Sequence, residues 1–225
     1  MRALSKFRPG PLLAIFGAGF LLVGTMLHPM QADPNQAAAA FAEYAADRHW
    51  VASHLMQLVG VWAMMGSLVL LARRLEAGPA AAWTSLGVAV GAASIAATAA
   101  LQAVDGVALK VMVDRWAAAA EPERTMLFAA SFAVRQIEAG LAGMSCLLLG
   151  LTAAIFGMAV GIDRRFPQWI GFLGVAGGLP TIASGIVIAY TGFSDLAMAL
   201  NMPAVSVLMA WMIALGFLGW TRALY

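Results

Sequence analysis

The stretch RHWVASHLMQ, Arg48 to Gln57, holds two of the chain's three histidines at the mouth of a long apolar segment. The third, His28, precedes Pro29 at the end of the previous apolar segment. Imidazole is a metal ligand, a general base and a group that changes charge near neutral pH. Other polar side chains recur at comparable depth. His54 and Gln57 are three residues apart, as are Gln102 and Asp105, and Arg135 and Glu138. Residues at that spacing share a helix face. Ionisable groups inside apolar segments are costly and turn towards a bundle interior or a cavity. The candidate ligand-binding set is therefore His28, His54, Gln57, Gln102, Asp105, Arg135 and Glu138. Asp47 and Trp50 extend the His54 face, and Asp195 and Asn201 are expected in the last outer loop.

These residue types could support several chemistries. Histidine with Asp105 or Glu138 suits zinc or iron, with His28, His49 and His54 as candidate metal ligands. No HExxH or HxH spacing occurs, and His49 and His54, five apart, point to different faces, so a site must draw ligands from several elements. Met26, Met30 and Met56 would add thioethers suited to Cu(I), although methionine is also ordinary apolar filler. His28 and His54 could bracket a haem as axial ligands. Ser53 adjoins His54, but neighbouring helical residues do not face each other. A metal-water hydrolase could use Asp105 or Glu138 as its base. Against all of these stands a structural alternative, in which Asp105, Arg135 and Glu138 pair and lock three helices. Cys146 is the single cysteine, so no disulfide forms within the chain and no cysteine-rich metal site exists.

The elements that must position these groups are set by composition. The chain is 62% hydrophobic and 11% charged, with mean hydropathy +0.85; soluble domains are about 25% charged. The apolar runs predict an all-α, polytopic six-helix bundle forming one domain, since lipid admits only helices or closed barrels. Spans are expected at about 11–28, 51–71, 80–104, 128–160, 169–190 and 204–220. The N-terminus imitates a signal peptide, but its apolar stretch exceeds the usual h-region, so it is read as the first span. Asp33 before Pro34 reads as an N-cap opening a short interfacial helix that carries Phe41 and Tyr44. Helix is also expected to continue from the third span through DGVALKVMVDRW. Gly87 and Gly91, and Gly171, Gly174, Gly177 and Gly178, mark close helix packing. Pro180 is a kink candidate beside Thr181 and Ser184. No 20–50-residue repeat, no transporter-like duplication and no basic, aromatic-interleaved stretch for nucleic acid is present.

Orientation follows from arginine and lysine. With the N-terminus inside, Arg2, Lys6, Arg8, Arg73, Arg74, Arg164, Arg165 and Arg222 all fall inside, opposed only by Glu76 and Asp163. Both termini are therefore expected in the cytoplasm, and the polar layer near the outer surface.

RRFPQWIGFLGVAGGL, Arg164 to Leu179, resembles a stretch found in small six-helix bacterial integral membrane proteins of unassigned function. A basic turn, a proline, an aromatic and a glycine-spaced helix recur there, within a similar layout of spans and outer helices. The resemblance implies fold and a bacterial inner membrane, and carries no catalytic residues. The leading expectation is a non-enzymatic protein whose outward-facing polar pocket binds a small ligand, lipid headgroup or metal, as a sensor or accessory subunit. A haem or metal redox protein or enzyme, and a structural subunit of a larger complex, are the competing classes. The bilayer is the expected partner, with other membrane proteins or a second copy beside it.

Overall fold

The computed structural model describes residues 8–222; Arg2, Lys6 and the side chain of Arg222 lie outside the described set. Among the described residues there are helices and no strands. In order they are α1 (Pro9–Leu27), α2 (Ala37–Ala46), α3 (Trp50–Leu75), α4 (Ala81–Gln102), a π-helical segment (Ala103–Leu109), α5 (Lys110–Ala118), α6 (Glu123–Ile162), α7 (Gln168–Thr191) and α8 (Asp195–Arg222). The stretch α4–π–α5 is one continuous rod, Ala81–Ala118, and six helices are long and apolar enough to cross a membrane.

Their packing closes a ring: α1 on α3, α3 on α4, α4 on α6, α6 on α7, α7 on α8, and α8 back on α1. Met65, Leu68, Phe156 and Trp211 contribute to the buried centre. Glycine permits the closest approaches. A Cβ on Gly178 would lie 2.6 Å from the Gly150 carbonyl oxygen, and one on Gly24 would lie 2.7 Å from that of Ser53. Helix backbones thus touch directly, as small residues allow in lipid. Gly87 instead receives the ring of Phe156. Ser94 and Thr152 join α4 to α6 through a 2.9 Å hydroxyl bond. That bond lies outside the polar layer read from the sequence.

Three local expectations are corrected. Asp33 does not cap α2. Its Oδ1 accepts both N–H groups of Asn35, at 2.9 and 3.1 Å, in an Asx turn, and the helix begins at Ala37. Asp47 is the C-cap of α2 rather than part of the α3 face, because α3 starts at Trp50. The last helix starts at Asp195, not near 204, so Asp195 and Asn201 are helical. Ser194 explains the early start. Its hydroxyl accepts the Ala197 N–H at 3.3 Å and its carbonyl the Met198 N–H at 2.9 Å, which is N-cap geometry. Pro203 then lies inside the helix. Pro180 is likewise inside α7, where the Thr181 hydroxyl donates to Gly177, while Ser184 reaches Ala197 of α8.

The ring has two distinct ends. Arg8 donates to the carbonyls of Gly219 and Trp220, so both ends of the described chain share one end of the bundle, the terminal face. The opposite, histidine face is roofed by α2 and α5. There Phe41, Tyr44, Trp50, Leu109, Val113 and Trp116 form a separate cluster. Lys110 fastens the roof, donating to the terminal α2 carbonyls of Tyr44 and Ala45 at 3.0 and 2.9 Å.

Candidate metal centre

His28 is the C-cap of α1, with extended backbone (φ −74°, ψ 130°). Pro29 biases it there, because proline disfavours helix in the residue before it. The segment beyond is held to α2 by Glu43, whose carboxylate accepts the N–H groups of Gln31 and Ala32 at 3.0 Å each. His54 lies one turn into α3 and is almost wholly buried. Asp105 lies in the π segment, and such segments occur frequently at functional sites. Gly106 beside it lets that backbone close on His54. A Cβ there would be 2.6 Å from the His54 Cβ.

One ligand atom from each of His28, His54 and Asp105 falls within 4.8 Å of the others. The orientation of both imidazoles is fixed from behind. His54 Nδ1 is 2.6 Å from the Trp50 carbonyl, and His28 Nδ1 is 2.7 Å from the Pro29 carbonyl. A carbonyl only accepts, so each Nδ1 carries a proton and Nε2 is the nitrogen left for a ligand. Metal-bound histidines usually show this backing hydrogen bond. His54 Nε2 faces Asp105 Oδ2 at 3.0 Å, and Asp105 Oδ1 is buried without a partner. Asp105 is held in turn, its carbonyl accepting the Trp50 indole N–H at 3.0 Å.

The rings form a continuous series of tilted contacts. Tyr44 lies 4.3 Å from Trp50 between centroids, Trp50 4.5 Å from His54, and His28 4.8 Å from Trp50. Burial first, and then the neighbouring His54, pull the His28 pKa below its ordinary value. Burial pushes the Tyr44 phenol up to about 12.

Arg135 and Glu138 pair with each other one turn apart on α6, both buried. The Arg135 guanidinium also lies over the rings of Phe193 and Tyr44, at 4.6 and 5.6 Å. Gln102 donates to Gln57 at 3.2 Å. The expected residues thus sort into three groups: His28, His54 and Asp105 together, Arg135 with Glu138, and Gln57 with Gln102. His49 is exposed and not among the three clustered donors.

The arrangement narrows the chemistry. A haem cannot lie between His28 and His54. Their rings are 5.0 Å apart, and α1 meets α3 backbone to backbone at Gly24. Met26 and Met30 are exposed, so they do not complete a copper site. Ser53 Oγ does approach His54 Nδ1, at 3.2 Å, but both groups turn to the Trp50 carbonyl. A nitrogen that already carries a proton cannot deprotonate that serine. Two cavities, of about 500 and 70 Å³, include none of the candidate residues. What remains is a cluster of three donors that could hold an ion. Zinc ligands in a tetrahedral site are about 3.3 Å apart, given bonds of about 2.0 Å. The donors here lie within 4.8 Å of one another and would have to draw closer to bind an ion.

Trp50 was legible as a neighbour on the His54 face. The roles of Tyr44, Pro29, Gly106 and Lys110 were not, because each acts through backbone or ring geometry without a spacing motif. No family model, curated protein or solved structure matches this chain.

Proposed function

We propose that this is a non-enzymatic membrane protein that binds one divalent transition metal ion of the zinc class. Its ligands are Nε2 of His28, Nε2 of His54 and the Asp105 carboxylate. The observation that carries this reading is the pairing of the cluster with its backing bonds: three donors within 4.8 Å, and both Nδ1 atoms occupied by carbonyls.

Metal sensing, or an accessory metal-binding role in a larger membrane complex, fits a closed, roofed cluster better than turnover of an organic substrate. The basic residues of the terminal face support an orientation with both termini in the cytoplasm, so the metal would be taken up on the outer side. A second reading rests on the same 3.0 Å contact: a protonated His54 paired with Asp105 would tie α3 to the α4–α5 rod and need no metal.

Elemental analysis of full-length protein in detergent, stripped by chelator and reloaded with zinc, separates the two. The proposal expects about one zinc per chain, lost in His54→Ala and Asp105→Asn and retained in His49→Ala. Wild-type protein that takes up no zinc would leave only the ion-pair reading.

A further inference from the structure

The cavity of about 500 Å³ lies on the terminal face, far from the histidines, between the α3–α4 and α6–α7 turns. Arg74, Gly78, Ile162, Asp163, Arg164 and Arg165 are among its walls. Its one acid is already neutralised. Asp163 Oδ1 accepts the Arg165 backbone N–H and Nε, both at 2.9 Å, and Oδ2 accepts Nη2 at 2.7 Å. Arg165 also donates to the Arg74 carbonyl at 2.8 Å. It therefore spans the two turns and fixes the shape of the cavity. Arg74 and Arg164 have no acidic partner among the described residues, and both are exposed. The cavity thus carries two uncompensated guanidiniums on a braced frame.

We propose that this cavity holds the phosphate group of an anionic membrane phospholipid. Guanidinium matches phosphate in geometry and charge, and the volume falls in the roughly 300–1,000 Å³ range of ligand sites. Basic pockets between spans are a known way to hold such headgroups. An amphiphile is favoured over free phosphate because the cavity opens beside apolar surface. Ile162 on its wall is 41% exposed, and Trp169 and Phe172 at the start of α7 are 54% and 73% exposed. Tryptophan at that position marks the headgroup level. Acyl chains would run along the outer face of α7 while the phosphate sits between Arg74 and Arg164.

Calorimetric titration of full-length protein in a non-ionic detergent tests this with short-chain phosphatidylglycerol, short-chain phosphatidylcholine and inorganic phosphate. The proposal expects saturable binding of phosphatidylglycerol, at least tenfold tighter than either other probe. It expects at least a tenfold loss in Arg74→Ala/Arg164→Ala. The single exposed substitution Arg164→Gln, which leaves the Arg165 brace intact, is expected to cost about threefold and covers the case in which the double variant does not fold. Phosphatidylglycerol affinity unchanged in Arg164→Gln would overturn the proposal, as would equal affinity for phosphatidylcholine. Inorganic phosphate binding as tightly as phosphatidylglycerol would overturn the lipid assignment.

Discussion

His54 Nε2 and Asp105 Oδ2 face each other at 3.0 Å, while Nδ1 of the same ring donates to the Trp50 carbonyl. Two lone pairs cannot rest at that distance without a positive charge to share. The charge is either a proton shared between Nε2 and Oδ2 or a metal ion. A proton would satisfy His54 and Oδ2 only. A metal would also use His28 and explain the buried, unpartnered Oδ1. The two cases differ in which cation occupies this point.

The support behind the ligands should be measurable. Trp50→Phe keeps a ring in the series but removes the N–H that holds the Asp105 carbonyl. Losses of 10–100-fold in metal affinity are typical of such changes. A zinc competition titration against a chromophoric chelator should show a loss in that range with the far-UV spectrum unchanged.

Gly106→Ala should be destabilising, because its Cβ would meet His54 Cβ at 2.6 Å and Cγ at 3.0 Å. Overpacking of this kind costs about 1–3 kcal/mol. Gly19→Ala is the control, since nothing lies within 4 Å of a Cβ there. Thermal unfolding in detergent should show a clear fall in Tm for the first and none for the second.

Arg135 and Glu138 should behave as a buried pair rather than as ligands. Glu138→Gln strands the Arg135 charge in the bundle, which costs about 3–5 kcal/mol where a partner is removed from such a pair. Arg135→Met/Glu138→Met removes both charges and should cost less than the single change. Comparison of the two Tm values checks this; a double variant less stable than Glu138→Gln would contradict it.

The terminal face should contribute stability at neutral pH and lose it in acid. Hydrogen bonds from Arg165 hold the Asp163 carboxyl below the usual carboxylate value. A carboxyl so depressed stabilises fully above its unfolded pKa of about 3.9, and that contribution disappears as pH falls through the lower, folded value. The Tm of wild type should drop towards that of Asp163→Asn as pH is lowered from 6 to 3. A gap between them that stays constant over that window would count against the account.

The helices were readable because lipid imposes a blunt requirement: about twenty apolar residues and no exposed backbone polar group. The six spans followed from it. The start of α8 did not, because the Ser194 cap is a weak local signal. His54 and Asp105 could each be named as polar groups at the same depth. That they meet depends on the π segment, which shifts helical phase by part of a turn and has no spacing signature. His28 could be placed with them, but not the aim of its ring, which is set by the backbone around Pro29 rather than by any side-chain pattern. His49 and His54 looked alike in sequence. The helix start at Trp50 leaves one exposed and buries the other.

Cobalt titration distinguishes a bound metal from a shared proton, because Co²⁺ reports its own ligands through visible absorption. Full-length protein in detergent, stripped of metal, should develop ligand-field bands that saturate near one equivalent of Co²⁺ and are displaced by zinc. The bands should be absent in His28→Ala, His54→Ala and Asp105→Asn, and unchanged in His49→Ala. Wild-type protein that develops no bands, or bands that persist in His54→Ala, would contradict the account and leave the His54–Asp105 contact as a proton-bridged ion pair between α3 and the α4–α5 rod.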